Sequence, residues 1–239
     1  MRSAIIVLQA RTGSTRFPGK VLVPFGETTL LSHIVARLGR ARHPLGIVVA
    51  TSEAPGDAAI ATCADVLGVR SFRGSEADVL GRFAASLASV DESPELVVRI
   101  CADRPLICPS LIDGLLEAYD DCGAPDYLSN SLRKSWPEGL DVEIVRADAL
   151  REAAAAATDP YDREHVTPFL YRTPDRFSLV GLDCPFGNFS SIRATIDTSE
   201  DHAALARVHE ALVAVDPEYD VEAILNLATC SPELFPALP

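Results

Sequence analysis

Short apolar runs that alternate with amphipathic segments constrain the fold of this chain more than any other feature. The runs are rich in Val, Ile and Leu, are too short for helices, and cover residues 4–8, 46–50, 69–72 and 96–102. Apolar side chains recur at three- and four-residue spacings, which is typical of amphipathic helices, over residues 30–40, 57–67 and 77–89. Strand–helix–strand order requires right-handed crossovers. We therefore predict an α/β fold with a mainly parallel, mixed sheet flanked by helices.

The second half of the chain has a less regular pattern. We predict a helix over 110–121, a strand over 142–145, an alanine-rich helix over 148–157, a helix near 162–171, a strand over 192–196 and helices near 200–214 and 220–228. No Gly/Ser linker, internal repeat or low-complexity tract divides the sequence. We therefore expect residues 1–239 to form a single domain with an inserted arm at about 125–182.

Composition excludes several classes of protein. Although 48% of the residues are hydrophobic, no run approaches the roughly 20 apolar residues that span a bilayer, and residues 1–8 are typical of a first strand rather than a signal peptide. The six cysteines form no C-x-x-C pair, so we expect reduced thiols, no zinc site and a cytoplasmic location. With a formal net charge of −13, neither a nucleic acid nor a membrane is expected as a partner.

Residues 9–20 concentrate positive charge against the overall sign of the chain. The first acidic residue is Glu27, whereas Arg11, Arg16 and Lys20 all precede it, and Lys20 is one of only two lysines. The segment follows the first predicted strand, where α/β proteins bind ligands, and its glycines permit turns that present backbone N–H groups. We interpret it as a phosphate-binding loop; the alternative is a plain surface turn.

The loop does not have the spacing of a Walker A motif. Gly13 and Gly19 enclose five residues rather than four, and Val21 stands where the magnesium-binding Ser or Thr would be. The spacing therefore removes the main support for an ATPase or a GTPase.

Two aspartates follow predicted strands and are candidate metal ligands. Asp103 comes directly after the apolar run at 96–102, and Asp197 comes directly after the strand pattern at 192–196. Mg²⁺ is bound by one or two carboxylates together with substrate phosphates, so this pair predicts a magnesium site. Alternatively, Asp103 pairs with Arg104 or caps its turn. Thr198 and Asp201 have the spacing of a helix cap, which leaves the side chain of Asp197 free.

Two polar segments of the arm, residues 136–143 and 162–168, are candidates to receive a second substrate. The candidate acceptor-binding residues are Asn130, Glu138, Asp141, Glu143, Arg163 and His165. The alternative is structural, with His165 as a satisfied helix residue and Arg163 on a solvated helix face. Both interpretations stay open.

Six segments in this order resemble the cytidylyltransferase family that includes the CMP-Kdo and CMP-acylneuraminate synthetases, with the greatest likeness to its spore coat polysaccharide biosynthesis branch. They are QARTGSTRFPGKVL (9–22), FRGSEADVLGRF (72–83), VVRICADRPLI (97–107), WPEGLDVE (136–143), DPYDREHVTPFLYR (159–172) and RATIDTSED (193–201). The first and the last together form a specific signature. The resemblance implies a glycosyltransferase-A-like, Rossmann-like nucleotidyltransferase fold, and a homodimer formed through the arm.

The resemblance also implies roles for individual residues. Arg11, Ser14, Arg16 and Lys20 would contact a triphosphate, and Asp103 with Asp197 would hold Mg²⁺. Further nucleotide-binding residues implied in this way are Leu8, Ala10, Gly13, Arg73, Ser75, Arg82 and Cys101. The predicted catalytic residues are Arg11, Arg16, Lys20, Asp103 and Asp197.

Two positions depart from the Kdo synthetases, which have Gln in place of Cys101 and Glu in place of Arg104. The departures leave the nucleotide base open, and the acceptor open among sugars, sugar acids, phosphates and phosphonates. We expect an acceptor oxygen to attack the α-phosphorus of CTP, with Asp197 or His165 as the base for a hydroxyl. The alternatives are a glycosyltransferase that consumes a nucleotide sugar and a non-catalytic nucleotide-binding homologue.

Overall fold

A mixed β-sheet forms the centre of the computed structural model, which describes residues 2–238. Its strands are β1 (Ala4–Gln9), β4 (Ile47–Ser52), β5 (Arg70–Gly74), β6 (Leu96–Cys101), β7 (Tyr127–Ser129), β8 (Glu143–Arg146) and β9 (Leu179–Gly181), while β2 (Pro24–Phe25) and β3 (Thr28–Thr29) form a separate hairpin. The seven strands lie in the order β5-β4-β1-β6-β8-β7-β9. Strand β8 runs antiparallel to both neighbours and the other pairs of this sheet are parallel, so the predicted mainly parallel, mixed sheet is confirmed.

Helices cover both faces of the sheet. They are α1 (Leu30–Leu38), α2 (Ala58–Val66), α3 (Val79–Ser86), α4 (Pro109–Ala118), α5 (Ala147–Ala156), α6 (Pro160–His165), α7 (Pro168–Tyr171), α8 (Ser199–Val213) and α9 (Val221–Cys230). One apolar cluster joins the sheet to α1, α2, α4, α8 and α9, and a second joins the opposite face to α3, α5 and α7. No helix within residues 2–238 combines the length and the apolar character that crossing a membrane requires.

Successive residues of the central strands belong to different core clusters. Ile6 and Leu8 of β1 lie in the first cluster, whereas Ile5 and Val7 lie in the second. Side chains alternate between the faces of a strand, and both faces are covered here. This double burial is why the strands read as unbroken apolar runs in the sequence.

The predicted strand over 192–196 is wrong as a strand, although its residues are buried. This segment makes a single bridge, between Arg193 and Glu138, instead of a ladder. Ala194 N donates to Glu138 O at 2.7 Å, and Ile196 N donates to Asp103 O at 2.9 Å. The acceptors of these two backbone hydrogen bonds lie in two separate loops. The local sequence cannot show whether a buried segment pairs with a strand or with loops.

Residues 125–182 contain more regular structure than their sequence pattern indicates. Strands β7 and β9 were not predicted because three residues are too few to show a period. The single helix predicted near 162–171 is divided into α6 and α7. Val166 between them has a φ of 73°, outside the helical region, and this residue separates the two helices.

Candidate active site

One buried carboxylate fixes the loop of residues 9–20, which we call the cationic loop. Asp57, which is 1% exposed, accepts hydrogen bonds from the backbone N and the Oγ1 of Thr12 at 2.7 and 2.6 Å. Thr12 O in turn accepts from the backbone N of Ser14 at 2.8 Å and of Gly19 at 2.9 Å. Burial alone would raise the pKa of Asp57, but hydrogen bonds from Ser52 and Thr12 lower it below its usual value. The ionised carboxylate therefore holds both ends of the loop.

Lys20 turns inward at the end of this loop. Gly19 has a φ of 71°, which glycine adopts without steric cost, and a 3-10 turn begins at Lys20. The Lys20 side chain is only 11% exposed, and its Nζ donates to Ile196 O at 2.6 Å. The same Nζ donates to Asp103 Oδ2 at 3.1 Å and to Asp197 Oδ1 at 3.3 Å. One ammonium group thus joins the N-terminal loop to both predicted metal ligands.

Positive charge surrounds Asp197. Its Oδ2 lies 3.1 Å from Arg16 Nη2 and accepts a hydrogen bond from Arg193 Nη2 at 2.9 Å. Burial alone would raise the pKa of Asp197, but Lys20, Arg193 and Arg16 outweigh burial and hold the pKa below its usual value. The Asp197 carboxylate is therefore ionised at neutral pH. It is better suited to bind a cation than to accept a proton.

The predicted helix cap is confirmed and leaves Asp197 available. Thr198 Oγ1 accepts from the backbone N of Asp201, and Asp201 Oδ2 accepts from the backbone N of Thr198, which completes a capping box on α8. Asp201 also accepts from Arg193 Nη1 at 2.6 Å and from the backbone N of Asp197 at 2.9 Å. Burial opposes ionisation of Asp201, but these hydrogen bonds lower its pKa to about 2. The cap fixes the backbone of Asp197 without using its side chain.

These groups surround a cavity of about 300 Å³ at the carboxyl ends of β1 and β6, which we call the Lys20 pocket. Its lining is Gln9, Arg11, Gly13, Ser14, Thr15, Arg16, Lys20, Val21, Cys101, Ala102, Asp103 and Asp197. The pocket thus brings together all five predicted catalytic residues. Leu8 and Ala10 lie below it in the core, 0% and 2% exposed, and do not line it.

Three further predicted nucleotide-binding residues, besides Leu8 and Ala10, also lie outside the pocket lining. Arg73 donates to two backbone oxygens at 3.0 Å, and Ser75 Oγ accepts from a backbone N of its own turn at 3.0 Å. Arg82 is 2% exposed and donates to Ser75 O at 2.6 Å, while its Nε and Nη2 have no partner within residues 2–238. Burial and the charge of Arg11 lower the pKa of Arg82. Ser75 and Arg82 therefore support the turn at residues 75–78, and Arg73 supports the loop after β4.

The two positions that depart from the Kdo synthetases are both engaged within the protein. Arg104 does not pair with Asp103; its Nη1 donates to Asp141 O at 2.7 Å and its Nη2 lies 3.4 Å from Asp141 Oδ2. Burial raises the pKa of the Cys101 thiol, whose Sγ lies 3.9 Å from Gln9 Oε1. The Asp103 carboxylate therefore contacts Lys20 and lines the pocket.

The predicted acceptor-binding residues do not form one group. Glu143 and His165 line a second cavity of about 470 Å³, which we call the Glu143 chamber. Arg163 lines a third cavity of about 550 Å³, together with Arg11. Helix α6 therefore lines the second and third cavities, and its Glu164 lies 3.6 Å from Arg11, which lines the Lys20 pocket.

Asn130, Glu138 and Asp141 line none of these cavities. The buried Asn130 side chain donates to one backbone group of the 140–142 turn at 2.9 Å and accepts from another at 2.7 Å. Glu138 accepts from Thr195 Oγ1 at 3.2 Å, and Asp141 accepts from the backbone N of Gly139 at 3.0 Å. Their side chains hold the turn that leads into β8.

Sequence reasoning missed several residues on which the site depends. Asp57 fixes the loop and Arg193 orients Asp197, but neither stands in a local pattern that indicates this. Arg99 pairs with Glu143 and did have a signal, because it is the one charged residue in an otherwise apolar run. A charge buried among apolar residues needs a partner, so the run itself predicts an ion pair.

Comparison with known proteins decides the family. The cytidylyltransferase family model matches residues 4–229. The chain belongs to the cytidylyltransferase family. As a cytidylyltransferase it is a nucleotidyltransferase, and it is an enzyme.

Relatives match this cytidylyltransferase over almost its full length. The spore coat polysaccharide biosynthesis protein SpsF of Bacillus subtilis is 31% identical over 241 residues, which cover 98% of this chain and 97% of that protein. An uncharacterized protein of Methanocaldococcus jannaschii is 36% identical over 229 residues, or 95% and 91% of the two chains. A solved cytidylyltransferase from Leptospira borgpetersenii superimposes with a TM-score of 0.89 at 28% identity, covering 98% and 97%. The nucleotidyltransferase fold expected from the sequence is thereby confirmed.

Proposed function

We propose that the protein transfers CMP from CTP to a small acceptor, a sugar, a sugar acid, a phosphate or a phosphonate, with release of pyrophosphate. The single observation that carries this is the position of Lys20, whose Nζ contacts both Asp103 and Asp197 inside one cavity. The family supports cytidylyl transfer as the reaction. We further propose that residues 1–239 form one nucleotidyltransferase domain, in which the arm at 125–182 binds the acceptor and forms a homodimer.

In the proposed reaction an acceptor oxygen attacks the α-phosphorus of CTP, and the bond from that phosphorus to the bridging oxygen of pyrophosphate breaks. Negative charge builds on the leaving pyrophosphate. Arg11, Arg16 and Lys20 line the pocket where that charge would lie, and in the structure each is paired with a carboxylate. Phosphate oxygens would replace those carboxylates as partners. Losing a buried contact such as that of Lys20 typically costs about 3 kcal/mol of transition-state stabilisation, roughly a hundredfold in rate, and losing an exposed one such as that of Arg16 costs less.

The donor set of the pocket fits Mg²⁺. Asp103 and Asp197 are carboxylates that already hold a positive group, the Lys20 ammonium, between them. No cluster of three or more His, Cys, Asp or Glu in the described part of the chain forms a metal site by itself. Phosphate oxygens would therefore complete the coordination, as is usual for Mg²⁺. Held by these two carboxylates, the ion would supply neutralising charge to the phosphates.

A hydroxyl acceptor must also lose a proton, whereas an ionised phosphate or phosphonate need not. Of the two candidate bases, Asp197 has a pKa held below its usual value by neighbouring cations. A carboxylate of low pKa is a weak base near neutral pH. His165 lines the Glu143 chamber, so it is the better-placed base for a hydroxyl bound there.

Pyrophosphate release tests the proposal directly. We expect release with CTP, Mg²⁺ and one acceptor from a panel of sugars, sugar acids, sugar phosphates and phosphonates, and much slower release with ATP, GTP or UTP. Asp103→Ala should lower kcat/KM about a hundredfold, whereas Asp91→Ala, which removes a carboxylate with 85% of its side chain exposed, should leave it unchanged. An active Asp103→Ala enzyme, or consumption of nucleotide sugars alone, would contradict the proposed reaction.

Light scattering tests the proposed homodimer, and a monomeric mass would contradict it.

A further inference from the structure

The Glu143 chamber shares a wall with the Lys20 pocket. Gln9 lines the pocket, and its Oε1 accepts a hydrogen bond from Arg99 Nη2, at 3.2 Å, on the chamber side. Arg99 lies two residues before Cys101 on β6, so both side chains project from the same face of the sheet. An acceptor in the chamber would therefore lie beside a nucleotide in the pocket.

The chamber is electrically balanced by one buried ion pair. Arg99 is the single Arg or Lys in its lining and Glu143 the single carboxylate, and these two side chains, 11% and 8% exposed, pair across β6 and β8. Glu143 Oε1 also accepts from Tyr127 Oη at 2.8 Å and from Thr167 Oγ1 at 3.0 Å. Burial alone would raise the pKa of Glu143, but Arg99 lowers it, so the pair is ionised and sums to zero charge.

Cations beside the chamber are also held by their own carboxylates. Arg163 donates to Asp78 from two nitrogens, at 2.9 and 2.5 Å, and to two backbone oxygens. Arg172 donates to Asp162 at 3.0 Å. The Nε of Arg99 is buried and has no hydrogen-bond partner within residues 2–238. A carboxylate or phosphate on the acceptor would therefore have to break an existing pair to gain a cation.

A strained turn shapes one wall of the chamber. Val166 has a φ of 73° and a ψ of −59°, and Thr167 N donates to His165 O at 2.9 Å, which defines a γ-turn of the rare positive-φ form. A β-branched residue adopts this conformation only where the surrounding structure enforces it, and such strain clusters at functional sites. The turn places His165 and Thr167 together on the chamber wall.

The chamber rim carries exposed aromatic rings. Tyr161 is 52% exposed and Tyr171 is 36% exposed, and both line the chamber. The rings of Tyr161 and His165 are in contact, with centroids 4.3 Å apart. Such amphipathic rings present an apolar face for C–H groups and polar atoms for hydroxyls. This combination matches the alternating C–H and O–H surface of a sugar or a polyol.

We propose that the Glu143 chamber binds a neutral, polyhydroxylated acceptor, a sugar or polyol without a carboxylate or a phosphate, through hydrogen bonds to its hydroxyl groups. This inference rests on the proposed cytidylyl transfer. An acceptor hydroxyl oxygen bonds to the α-phosphorus of CTP, pyrophosphate leaves with the electrons of the broken P–O bond, and the hydroxyl proton passes to His165. Glu143 already accepts from three donors, whereas the His165 ring has no hydrogen-bond partner within residues 2–238.

An acceptor panel tests the class of acceptor. Pyrophosphate release is measured with CTP, Mg²⁺ and free hexoses, inositol or glycerol, against hexuronic acids and hexose phosphates, while calorimetry measures CTP binding separately. We expect a neutral acceptor to exceed every acidic one at least tenfold in kcat/KM. Preference for an acidic acceptor, or no turnover of any neutral one while CTP binds, overturns this inference alone. If CTP is neither bound nor consumed, the proposed function fails with it.

Substitutions test the location of the acceptor and the role of His165. Tyr161→Ala should raise the KM for the neutral acceptor at least tenfold and leave the KM for CTP unchanged. Phe186→Ala is the matched control, because Phe186 is 51% exposed and lies outside the chamber lining, and neither KM should change. His165→Gln should lower kcat at least tenfold at an unchanged KM. An unaltered KM in Tyr161→Ala, or an unaltered kcat in His165→Gln, would contradict the assignment.

Discussion

The Lys20 pocket and the Glu143 chamber both include residues of β6, yet their charged side chains are paired differently. Three cations share one carboxylate of the pocket: Lys20 and Arg16, which line the pocket, and Arg193, which does not, all contact Asp197. In the chamber, Arg99 has Glu143 as its own buried partner. Lys20 contacts two carboxylates whose side chains are 29% and 24% exposed, so it keeps one partner when an anion displaces the other, whereas separating the buried pair of Arg99 and Glu143 leaves an uncompensated charge. The pocket is therefore suited to capture an anion and the chamber to exclude one.

The largest effect is expected from the central cation of the pocket. Lys20→Ala should lower kcat/KM at least a hundredfold, about 3 kcal/mol, because no other ammonium contacts both Asp103 and Asp197 within residues 2–238. Steady-state pyrophosphate release measures this. Lys134→Ala, which removes the other lysine of the chain from an exposed position, is the matched control and should match the parent enzyme. Equal activity of both variants would remove the basis for treating the pocket as an anion site.

The second effect is on stability and tests the fixed charge of the chamber. Glu143→Gln should lower the free energy of unfolding by about 3 kcal/mol, because Arg99 would keep a buried charge without a carboxylate. Urea unfolding followed by circular dichroism measures the change. Glu152→Gln breaks a pair whose two side chains are 44% and 45% exposed and should cost less than about 1 kcal/mol. Similar costs for the two variants would erase the distinction between exchangeable and fixed pairs.

A third, smaller effect concerns Asp201, which hydrogen-bonds to the backbone of Asp197. Like Glu143, it is buried and pairs with a buried arginine, Arg193. Its pKa is lowered from 3.8 to about 2 on folding, so its contribution to stability is complete above the unfolded value and is lost as the pH falls from about 4 towards 2. The contribution corresponds to about 2 kcal/mol. Unfolding measured at pH 6 and at pH 2.5 should show a smaller loss for Asp201→Asn than for the parent protein. Asp148→Asn, at a side chain 75% exposed, should behave like the parent.

The smallest effect is expected at the exposed edge of the pocket. Arg16→Ala should lower kcat/KM about tenfold, because one of several cations is lost, and should leave the free energy of unfolding nearly unchanged, since the side chain is 62% exposed. Arg133→Ala is matched in exposure, at 63%, and also breaks an ion pair, but lies outside the pocket lining. A loss of stability in Arg16→Ala, or a loss of activity in Arg133→Ala, would contradict the idea that a bound anion replaces the carboxylate partners of the pocket cations.

The pocket could be predicted from the sequence more fully than the chamber, for a physical reason. Arg11, Arg16 and Lys20 lie within one segment, Asp103 follows an apolar run and Asp197 follows a strand-like pattern, so every member had a local signal. In the chamber, Glu143 and His165 were named. Arg99 was not; its charge within an apolar run indicates a buried ion pair, but the partner, 44 residues away on an antiparallel strand, has no local signal. Asn130 and Asp141, predicted to bind the acceptor, have internal partners in the structure: Asn130 hydrogen-bonds to backbone groups, and Asp141 pairs with Arg104.

Irregular backbone set the second limit of prediction. Periodicity identified β1, β4, β5 and β6, because strands buried on both faces form apolar runs. It failed at Val166, where a positive φ ends α6, and at residues 192–196, which are as apolar as a strand but pair with loops. Neither feature changes local composition.

The sequence by itself determined the α/β architecture, the cationic loop and the two carboxylates, because burial period and charge segregation are local properties of a chain. Only the tertiary structure decided which charges are shared and which are fixed. That depends on distances between segments far apart in sequence, such as the one Lys20 Nζ that reaches both Asp103 and Asp197. It also depends on burial, which sets the cost of separating a pair and is a property of the packed molecule alone.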